Sequence, residues 1–478
     1  MIDTKKFPAR FIERIKEILP EKEWEAFFSK ATEPLPKTIR IKNGSSPASD
    51  WQLSRVGGIP EAFFIERANR DELPLGKTLE HFSGQIYIAS LSSLLAVKVL
   101  DPQPKEKIMD LAAAPGSKTT FIADLMQNTG CLICNEPSSS RSAKLASNLD
   151  RLGVQNAVIL QNDGTILNNF IDQEFDRILL DAPCSSEGFG RKDSTFFSKM
   201  WAEKKIFEAA KLQKRLIISA FEMLRSEGIM VYSTCTSAPE ENEAVVEHLL
   251  KTFPEAELLP IDLEDIPHTK GLNKFFDQRF SPEISKNVCH LWPHLQTDTW
   301  NSETFFLAKI RKKSPLSRVP PHKHLVKNST KIYKKNQTAT VLTYLAKTFG
   351  IDKQHFNKKI ILERNGDVFL TTKESAQFSS KNPHRRCGLN ILDNNKNITS
   401  QFALHYGSLA TKNIFLLTEE EKNRWLSGYD IEVNISNEEI KDGQEILVKY
   451  QNFCLGNGKV QNNGQKIKNK LDRNLVLL

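Results

Sequence analysis

The chain has 478 residues, a formal net charge of +8 and seven cysteines, a length that suits roughly three domains and a core without disulfide support. An odd number of cysteines without framework spacing excludes a small disulfide-stapled secreted protein and favours a reducing, cytoplasmic compartment. The charged N-terminus lacks the apolar segment of a secretory signal. The longest apolar stretch, 86–100, contains Lys98, so we predict no membrane-spanning segment.

The first hundred residues show both the helical and the strand periodicity. The segments "PARFIERIKEIL" and "EKEWEAFFSKA" have the spacing of amphipathic helices, whereas "KTIRIK" alternates like a half-buried strand. We therefore expect an N-terminal α+β region over 1–100.

Residues 101–310 alternate strand patterns with helix patterns. In chain order these are "KIMDLA", "KTTFIADLM", "GCLICNE", "SRSAKLASNLDRLG", "NAVILQND", "FDRILLDAP", "WAEKKIFEAAKLQKRLIISAFEMLRSEG", "IMVYSTCT" and "EENEAVVEHLLKTF". The alternation predicts parallel βαβ units with helices on both faces, an α/β doubly wound sheet. Because ligands of such sheets bind at the carboxyl ends of the strands, the residues that follow each strand are the candidate site.

The most basic stretch is 311–336, which has nine Lys/Arg residues and no Asp or Glu. It is either a solvated linker or a segment that contacts nucleic-acid phosphates. Its prolines make it the best domain boundary in the chain. After it, the short strand patterns "KIILER", "DVFLTT" and "QEILVKYQNF" predict small α/β or barrel-like modules, which we divide into 337–405 and 406–478.

The loop after the first strand of the predicted sheet is "MDLAAAPGSKTT" (109–120), and it fits neither common phosphate-binding motif. A P-loop needs a glycine where Leu111 stands and a lysine directly after Gly116, and the dinucleotide fingerprint needs three glycines at fixed spacing. What remains is a run of small residues that enters a helix. Small side chains let a ligand approach the backbone N–H groups of a helix start.

Carboxylates follow three successive strands. Glu136 ends the second strand, Asp163 the third and Asp181 the fourth. Any one of them can be explained as a cap of the next helix, but together they predict an acidic rim, and Glu136 is placed to accept ribose hydroxyls. A nucleoside without phosphates that has a positive centre fits this rim better than NAD or ATP. S-adenosylmethionine is such a ligand.

Two cysteines, Cys184 in "DAPCSSEG" and Cys235 in "YSTCTS", lie just past strand ends on the same rim. Either cysteine alone is more readily explained as a buried structural thiol. The zinc-like spacing of Cys131 and Cys134 is discounted, because residues i and i+3 of a strand face opposite ways and no second pair matches them.

The motifs "DLAAAPGSKTT", "DAPCSSEGFGRKD" and "YSTCT", followed by "EENEAVV", occur in an order that resembles the RNA (cytosine-C5)-methyltransferase family, the Nol1/Nop2/Sun group. The C-terminal segment "GYDIEV…GQEILVKYQNFCLGNGKVQNNGQKIKNKLDRNLV" is similar to the RNA-binding, PUA-like tail of the bacterial F-type subfamily, which modifies 16S rRNA. The resemblance implies a Rossmann-like class I methyltransferase sheet over 101–310, an RNA-binding N-terminal region and a PUA-like domain over 406–478. The chain departs from the family pattern at Ser186, where a glycine is usual.

The resemblance also implies the roles of the site residues. Cys235 is the nucleophile, Cys184 assists product release, and the residues that bind S-adenosylmethionine are Ala112, Ala113, Ala114, Pro115, Gly116, Ser117, Lys118, Glu136, Asp163 and Asp181. The chemistry supports two thiols, because a thiolate that adds to C6 activates C5 of cytosine and must later be expelled. Asp181 is placed to hydrogen-bond or protonate N3, and the loop residues Arg191 and Lys192 are expected to meet phosphate.

We therefore expect a cytoplasmic, monomeric enzyme that needs no metal and methylates 16S rRNA, within the 30S subunit. The same reaction on tRNA is an alternative, because only the tail separates these substrates. A catalytically silent RNA-binding factor for ribosome assembly is a second alternative, although it would not need both cysteines and all three rim carboxylates.

Overall fold

The computed structural model describes residues 5–46, 51–66, 74–171, 174–316, 330–433 and 441–477. The N-terminal elements are α1 (Ala9–Ile18), α2 (Glu21–Lys30), β1 (Thr38–Ile41), β2 (Gln52–Arg55), β3 (Ala62–Glu66), α3 (Leu79–Phe82), β4 (Ile86–Ile88) and α4 (Leu91–Leu100). The strands form an antiparallel sheet in the order β2-β3-β1-β4, which confirms the predicted mixture of helix and strand.

The central region alternates strands and helices as the sequence predicts. Its elements are β5 (Lys107–Asp110), α5 (Ser117–Leu125), β6 (Cys131–Asn135), α6 (Ser139–Arg151), β7 (Ala157–Leu160), β8 (Phe175–Asp181), α7 (Phe196–Lys199), α8 (Glu203–Met223), β9 (Leu224–Thr234), α9 (Glu243–Thr252), β10 (Ala256–Leu259), β11 (Thr269–Lys270), β12 (Lys274–Phe275), β13 (Gln278–Arg279), α10 (Pro282–Asn287), β14 (Cys289–Leu291) and β15 (Phe305–Lys312).

The central sheet is parallel in its middle and antiparallel at one side. Strands β9-β8-β5-β6-β7 pair in parallel, and β15 joins β9 antiparallel, followed by β14 and β11. Apolar side chains cover both faces of the sheet. Cys131 packs in the core on one face and Cys134 in the core on the other, as the strand alternation predicts.

The predicted end of the long helix is wrong. The long helix was expected to reach Gly228, but α8 ends at Met223, because the buried Leu224 already pairs with Phe175 of β8. The residues between Leu224 and Ile229 form an irregularity in the pairing, in which Glu227 has a φ of 60°.

The basic linker also begins later than predicted, because Arg311 and Lys312 belong to β15. Lys312 is buried, and its ammonium donates to the carbonyl of Leu224, while Arg311 pairs with Glu257 at 2.7 Å. These two cations therefore stabilise the sheet and are not available to phosphate. Residues 317–329 of the segment lie outside the described residues.

The C-terminal elements are β16 (Lys331–Ile332), α11 (Lys335–Phe349), β17 (Ile360–Arg364), β18 (Asp367–Thr371), α12 (Lys373–Lys381), β19 (Arg386–Cys387), β20 (Leu389–Leu392), α13 (Ser400–Tyr406), β21 (Ile414–Leu416), α14 (Glu419–Leu426), β22 (Ile431–Glu432), β23 (Glu445–Tyr450), β24 (Phe453–Gln461) and β25 (Lys466–Asn469). They form two sheets, β16-β17-β18-β20 and β21-β23-β24-β25-β22. Strand β19 instead pairs with β7 and extends the central sheet at its edge.

Candidate active site

The carboxyl ends of the parallel strands open into a cavity of about 320 Å³. Its walls come from the N-terminal region, the loop after β5, the ends of β8 and β9, and the start of β15. The residues that line it are Tyr87, Ile88, Ala89, Ser90, Ser92, Ser93, Asp110, Ala112, Ala113, Ala114, Pro115, Ser117, Lys118, Asp181, Lys192, Cys235, Glu303 and Phe305. The cavity therefore contains most of the rim residues that the sequence singled out.

The structure brings the two candidate cysteines together. Cys184 follows β8 and Cys235 follows β9, and since these strands are parallel neighbours, the two sulfur atoms lie 3.3 Å apart. Both side chains are half-buried, and Cys235 lines the cavity whereas Cys184 does not.

The surroundings of Cys184 favour the protonated form of its thiol. The hydrogen bond to Cys235, together with burial and the charges of Cys235 and Glu241, raises the pKa of the Cys184 thiol well above its ordinary value. Cys184 is therefore expected to hold its proton at neutral pH, and a thiol at this distance can hydrogen-bond to a neighbouring thiolate.

Hydrogen bonds to two buried side chains, Glu241 and Gln213, hold the turn that carries Cys184. Glu241 accepts a hydrogen bond from the backbone N–H of Ser185 at 2.9 Å, and the amide of Gln213 donates to the carbonyl of Pro183 at 2.9 Å. Ser186 has φ 64° and ψ 37°, which is the left-handed region where glycine is least strained. The turn therefore keeps a glycine-like conformation although serine occupies the position.

Asp181 forms an ion pair with Lys118 at 2.6 Å and accepts a hydrogen bond from the Ser233 hydroxyl at 2.7 Å. Burial lowers the pKa of Lys118, but the charge and hydrogen bond of Asp181 outweigh it and the net pKa is raised. The pair places an acceptor and a cationic donor together on the wall that also carries Cys235. Such a pair can orient a polar ring.

The loop 112–118 leads from β5 into α5, and all of its residues except Gly116 line the cavity; its role in binding the cofactor stays a prediction. Gly116 has a φ of 110° at the start of α5, and the alanines leave space beside the backbone. At the bottom of the cavity, Asp110 is buried and its Oδ1 has no hydrogen-bond partner within the described residues. Burial raises the pKa of Asp110 to about 7, so a bound ammonium group would both satisfy this oxygen and favour its ionised form.

Three predicted cofactor residues, Gly116, Glu136 and Asp163, lie outside the cavity lining. Glu136 is buried directly after β6 and accepts a hydrogen bond from the backbone of Ser138 at 2.9 Å. Asp163 is exposed and caps a short 3₁₀-helix by accepting from the backbone of Thr165 at 2.9 Å. Both stand at the same rim as the cavity, on its β6–β7 side, and their role in binding the cofactor stays a prediction.

The loop 187–191 is held against the cavity. Gly188 donates its backbone N–H to the carbonyl of Cys235 at 2.8 Å. The prediction that Arg191 meets phosphate is wrong, because Arg191 is buried and donates to the carbonyls of Glu33 and Ser302 at 2.8 Å each. Lys192 is exposed and lines the cavity, as a phosphate contact requires.

Comparison with known proteins gives matches over almost the whole chain. The family description "16S rRNA methyltransferase RsmB/F" matches residues 97–311, the N-terminal domain of 16S rRNA methyltransferase RsmF matches 7–89, and the methyltransferase RsmF PUA domain matches 412–477. The ribosomal RNA small subunit methyltransferase F of Vibrio parahaemolyticus is 35% identical over 98% of this chain and 97% of its own length. That of Enterobacter is 34% identical over 98% and 96%. The chain belongs to the RsmB/F family of 16S rRNA methyltransferases.

Solved structures agree with this assignment. A methyltransferase homologue from Pyrococcus horikoshii aligns with 64% of this chain and 96% of its own, at 32% identity and a TM-score of 0.56. The structure described as NSun6 from the same organism with SFG shares the fold at 22% identity and a TM-score of 0.55. The central sheet is thus the Rossmann-like class I methyltransferase sheet, and this RsmB/F family member is an RNA methyltransferase whose cofactor is S-adenosylmethionine.

Sequence analysis missed part of the RsmB/F site because its residues are distant in the chain. Ser93 accepts a hydrogen bond from Lys118 at 3.2 Å, and Ser92 donates to Glu303 at 2.8 Å. Their segments follow ordinary strand and helix patterns, so periodicity alone does not mark them as part of the site. Among the described residues, no group of His, Cys, Asp or Glu is arranged to hold a metal ion, and no helix is long and apolar enough to cross a membrane.

Proposed function

We propose that this enzyme methylates carbon 5 of a cytosine in small-subunit rRNA through a covalent bond between Cys235 and C6 of the base. The observation that carries the proposal is the 3.3 Å contact between the sulfur atoms of Cys184 and Cys235 beside the Asp181–Lys118 pair. A methyltransferase acting on an oxygen or an exocyclic nitrogen has no need of two adjacent thiols at this position.

The chemistry explains why a thiolate is required. C5 of cytosine is a poor nucleophile, and addition of the Cys235 thiolate to C6 gives the ring an enamine character that makes C5 reactive. The bound cofactor supplies an electrophilic methyl group on its sulfonium. Asp181, held by Lys118, gives a proton to N3 of the ring as the thiolate adds and takes it back when the thiolate leaves, which neutralises the charge of the addition product.

Release of the product requires two further events. A base, for which a water molecule in the cavity serves, takes the C5 proton, and the electron pair of that C–H bond then expels the sulfur of Cys235 from C6 as a thiolate. Cys184 is the thiol whose pKa is raised by its neighbour and by burial. It therefore stands as a protonated hydrogen-bond donor next to the leaving sulfur, which favours expulsion of Cys235.

The substrate class is inferred from the relatives, which are described as methyltransferases of the small ribosomal subunit. We expect this chain to act on 16S rRNA within the 30S subunit, as a monomer in the cytoplasm. A cytosine in a paired stem must be extruded before it can enter the cavity, and we expect the exposed Lys192, which lines the cavity, to hold its phosphate.

The test is a pair of cysteine variants. With labelled S-adenosylmethionine and undermethylated 30S subunits, Cys184→Ala should accumulate an enzyme–RNA adduct that survives denaturing electrophoresis, and Cys235→Ala should neither trap RNA nor methylate it. Cys289→Ala, which removes a buried cysteine from β14, is the matched control and should behave as the wild type.

The outcomes separate the alternatives. The reverse pattern would exchange the roles of the two cysteines, and methylation by both variants without any adduct would disprove the covalent route. Naked 16S rRNA and tRNA run in parallel identify the substrate, and bisulfite mapping of the product shows whether C5 of cytosine is the modified atom.

A further inference from the structure

One buried carboxylate of the active-site cavity, that of Glu303, takes no part in the proposed reaction. Glu303 precedes β15 and lines the cavity, and only 4% of its surface is exposed. Its Oε1 accepts a hydrogen bond from the Ser92 hydroxyl at 2.8 Å, whereas its Oε2 has no hydrogen-bond partner among the described residues. Because a buried acceptor without a partner destabilises a protein, we expect this oxygen to receive a donor from the molecule that enters the cavity.

The cations near Glu303 leave its Oε2 available. Burial lowers the pKa of Arg191, and the charges of Glu33 and Glu303 oppose this effect, so Glu303 helps to balance the buried guanidinium. The guanidinium itself donates to the carbonyls of Glu33 and Ser302. Lys192 lines the same cavity, but neither cation donates a hydrogen bond to Oε2 in the described part of the chain.

Serine side chains at the start of α4 connect Glu303 to Lys118. The ammonium of Lys118 donates to the hydroxyl of Ser93 at 3.2 Å, and the hydroxyl of Ser90 donates to that of Ser93 at 3.0 Å. The hydroxyls of Ser90 and Ser92 lie 3.4 Å apart, and Ser92 donates to Glu303. All five residues line the cavity, so one wall presents a continuous row of polar groups.

The side chain of Glu303 also lies beside the loop that carries the nucleophile. A Cβ built on Gly188 would lie 3.1 Å from Cγ of Glu303 and 3.2 Å from the carbonyl oxygen of Cys235, so both atoms neighbour the same point of the loop. Asp181 lines the cavity with them. A pyrimidine that reacts with Cys235 therefore lies in a cavity with two carboxylates, Asp181 and Glu303.

We propose that Oε2 of Glu303 accepts a hydrogen bond from the exocyclic amine of the target cytosine and thereby selects cytosine against uracil. The amine at C4 stands next to N3, the atom assigned to Asp181, and a carboxylate is a suitable acceptor for it. Uracil has a carbonyl oxygen in place of the amine, and an ionised carboxylate can only accept hydrogen bonds, so the two oxygens would repel each other. This assignment rests on the proposed function, which supplies the cytosine.

Three RNAs that differ in one group of the target base test the contact. Small-subunit rRNA assembled into 30S subunits carries, at the target position found by bisulfite mapping, cytidine, uridine or the riboside of pyrimidin-2-one, which has a hydrogen atom in place of the amine. The variant is Glu303→Gln, which keeps the shape of the side chain and replaces the carboxylate with a neutral amide. Dissociation constants are measured in the full-length chain with Cys235→Ala, so that binding is read without bond formation.

The proposal predicts a different response for each RNA. Glu303→Gln should weaken binding of the cytidine RNA about five- to tenfold, because a hydrogen bond to a charged acceptor becomes one to a neutral acceptor. It should leave the affinity for the pyrimidin-2-one RNA nearly unchanged and strengthen binding of the uridine RNA, because the amide can donate to the carbonyl oxygen. Asp110→Asn changes another buried carboxylate of the cavity that has an unpartnered oxygen, and as the matched control it should change all three affinities by the same factor.

Equal changes in all three affinities on Glu303→Gln would overturn the proposal and leave Glu303 only the role of balancing Arg191. Ser92→Ala, which removes the hydrogen bond to Oε1, is a second variant that keeps the charge, and it should reduce the preference for cytidine over pyrimidin-2-one. The proposed reaction is judged separately. Wild-type enzyme that methylates C5 while the three affinities change together would defeat only the role of Glu303, whereas base-dependent affinities without a covalent adduct would defeat only the covalent route.

Discussion

Replacing Glu241 with glutamine removes a buried carboxylate that lies behind the Cys184 turn. Oε2 of Glu241 accepts from the backbone of Ser185 at 2.9 Å and from Gln213 at 2.8 Å, while Oε1 has no partner in the described part of the chain. Burial raises the pKa of Glu241 from 4.5 to about 7. The folded protein therefore holds a proton on this group over a pH range in which the unfolded chain has already released it.

The sign and the size of the effect on stability follow from the linkage between protonation and folding. A carboxylate whose pKa is higher in the folded state stabilises the fold fully below pH 4.5 and loses that contribution as the pH rises through about 7. The difference between the two values corresponds to about 3 kcal/mol. Glutamine keeps the shape and cannot ionise, so Glu241→Gln should gain stability relative to the wild type by this amount as the pH rises.

Thermal unfolding at a series of pH values measures the effect. For a domain of 150–250 residues, about 3 kcal/mol corresponds to roughly 6–12 °C, so the melting temperature of Glu241→Gln minus that of the wild type should rise by this amount from about pH 5 to about pH 8. Glu208→Gln, on the exposed surface of α8, is the control and should show no such trend. A flat difference for Glu241→Gln would mean that Glu241 is ionised throughout, which would refute the argument from burial.

Three further predictions concern Asp181, the ion pair between Asp150 and Arg386, and Gly188. Asp181→Asn should lower the rate of a single turnover at least about 100-fold, because the ring loses its stabilising group; a loss below tenfold would remove Asp181 from the chemistry. Asp150→Ala should destabilise the protein by about 3 kcal/mol in a thermal shift, because it leaves the half-buried Arg386 without its partner, and Asp150→Leu combined with Arg386→Met should restore most of the loss. Gly188→Ala would place a Cβ 2.9 Å from the carbonyl of Thr304 and 3.2 Å from that of Cys235, so the loop must shift, and methylation should fall by about 100-fold while the protein loses about 1–3 kcal/mol of stability.

The fold was predictable where the periodicity is strong and local. The strands and helices from β5 to α9 follow alternating apolar patterns, and the structure places them as expected apart from the end of α8. Strand β19 was not predictable, because two residues, Arg386 and Cys387, have no strand pattern of their own. They become a strand only because they pair with β7, whose edge offers unpaired backbone groups. Strand β7 lies about 230 residues earlier in the chain, so no local pattern indicates the pairing.

The candidate site was predictable to the extent that it stands at strand ends. Asp181, Cys184 and Cys235 follow β8 and β9 directly, and a doubly wound sheet gathers such residues on one rim. Ser92 and Glu303 were missed because they approach the cavity from α4 and from the segment before β15. The antiparallel insertion of β15 beside β9 is a tertiary feature that no local pattern indicates.

The meeting of the two sulfurs depends on the register between β8 and β9, and apolar packing does not fix it. Ile178 and Leu180 of β8 pack in one core and Leu179 in the other, so both faces are buried and a shift of one residue would still bury apolar side chains. That shift would move one cysteine by about 3.3 Å along the strand and turn it to the opposite face. The polar contacts at the rim do distinguish the observed register from a shifted one. Ser233 stands opposite Asp181 and donates a hydrogen bond to it at 2.7 Å, and a shift of one residue would break this contact. Asp181, which is proposed for the chemistry, is therefore also a group that fixes the register on which the chemistry depends.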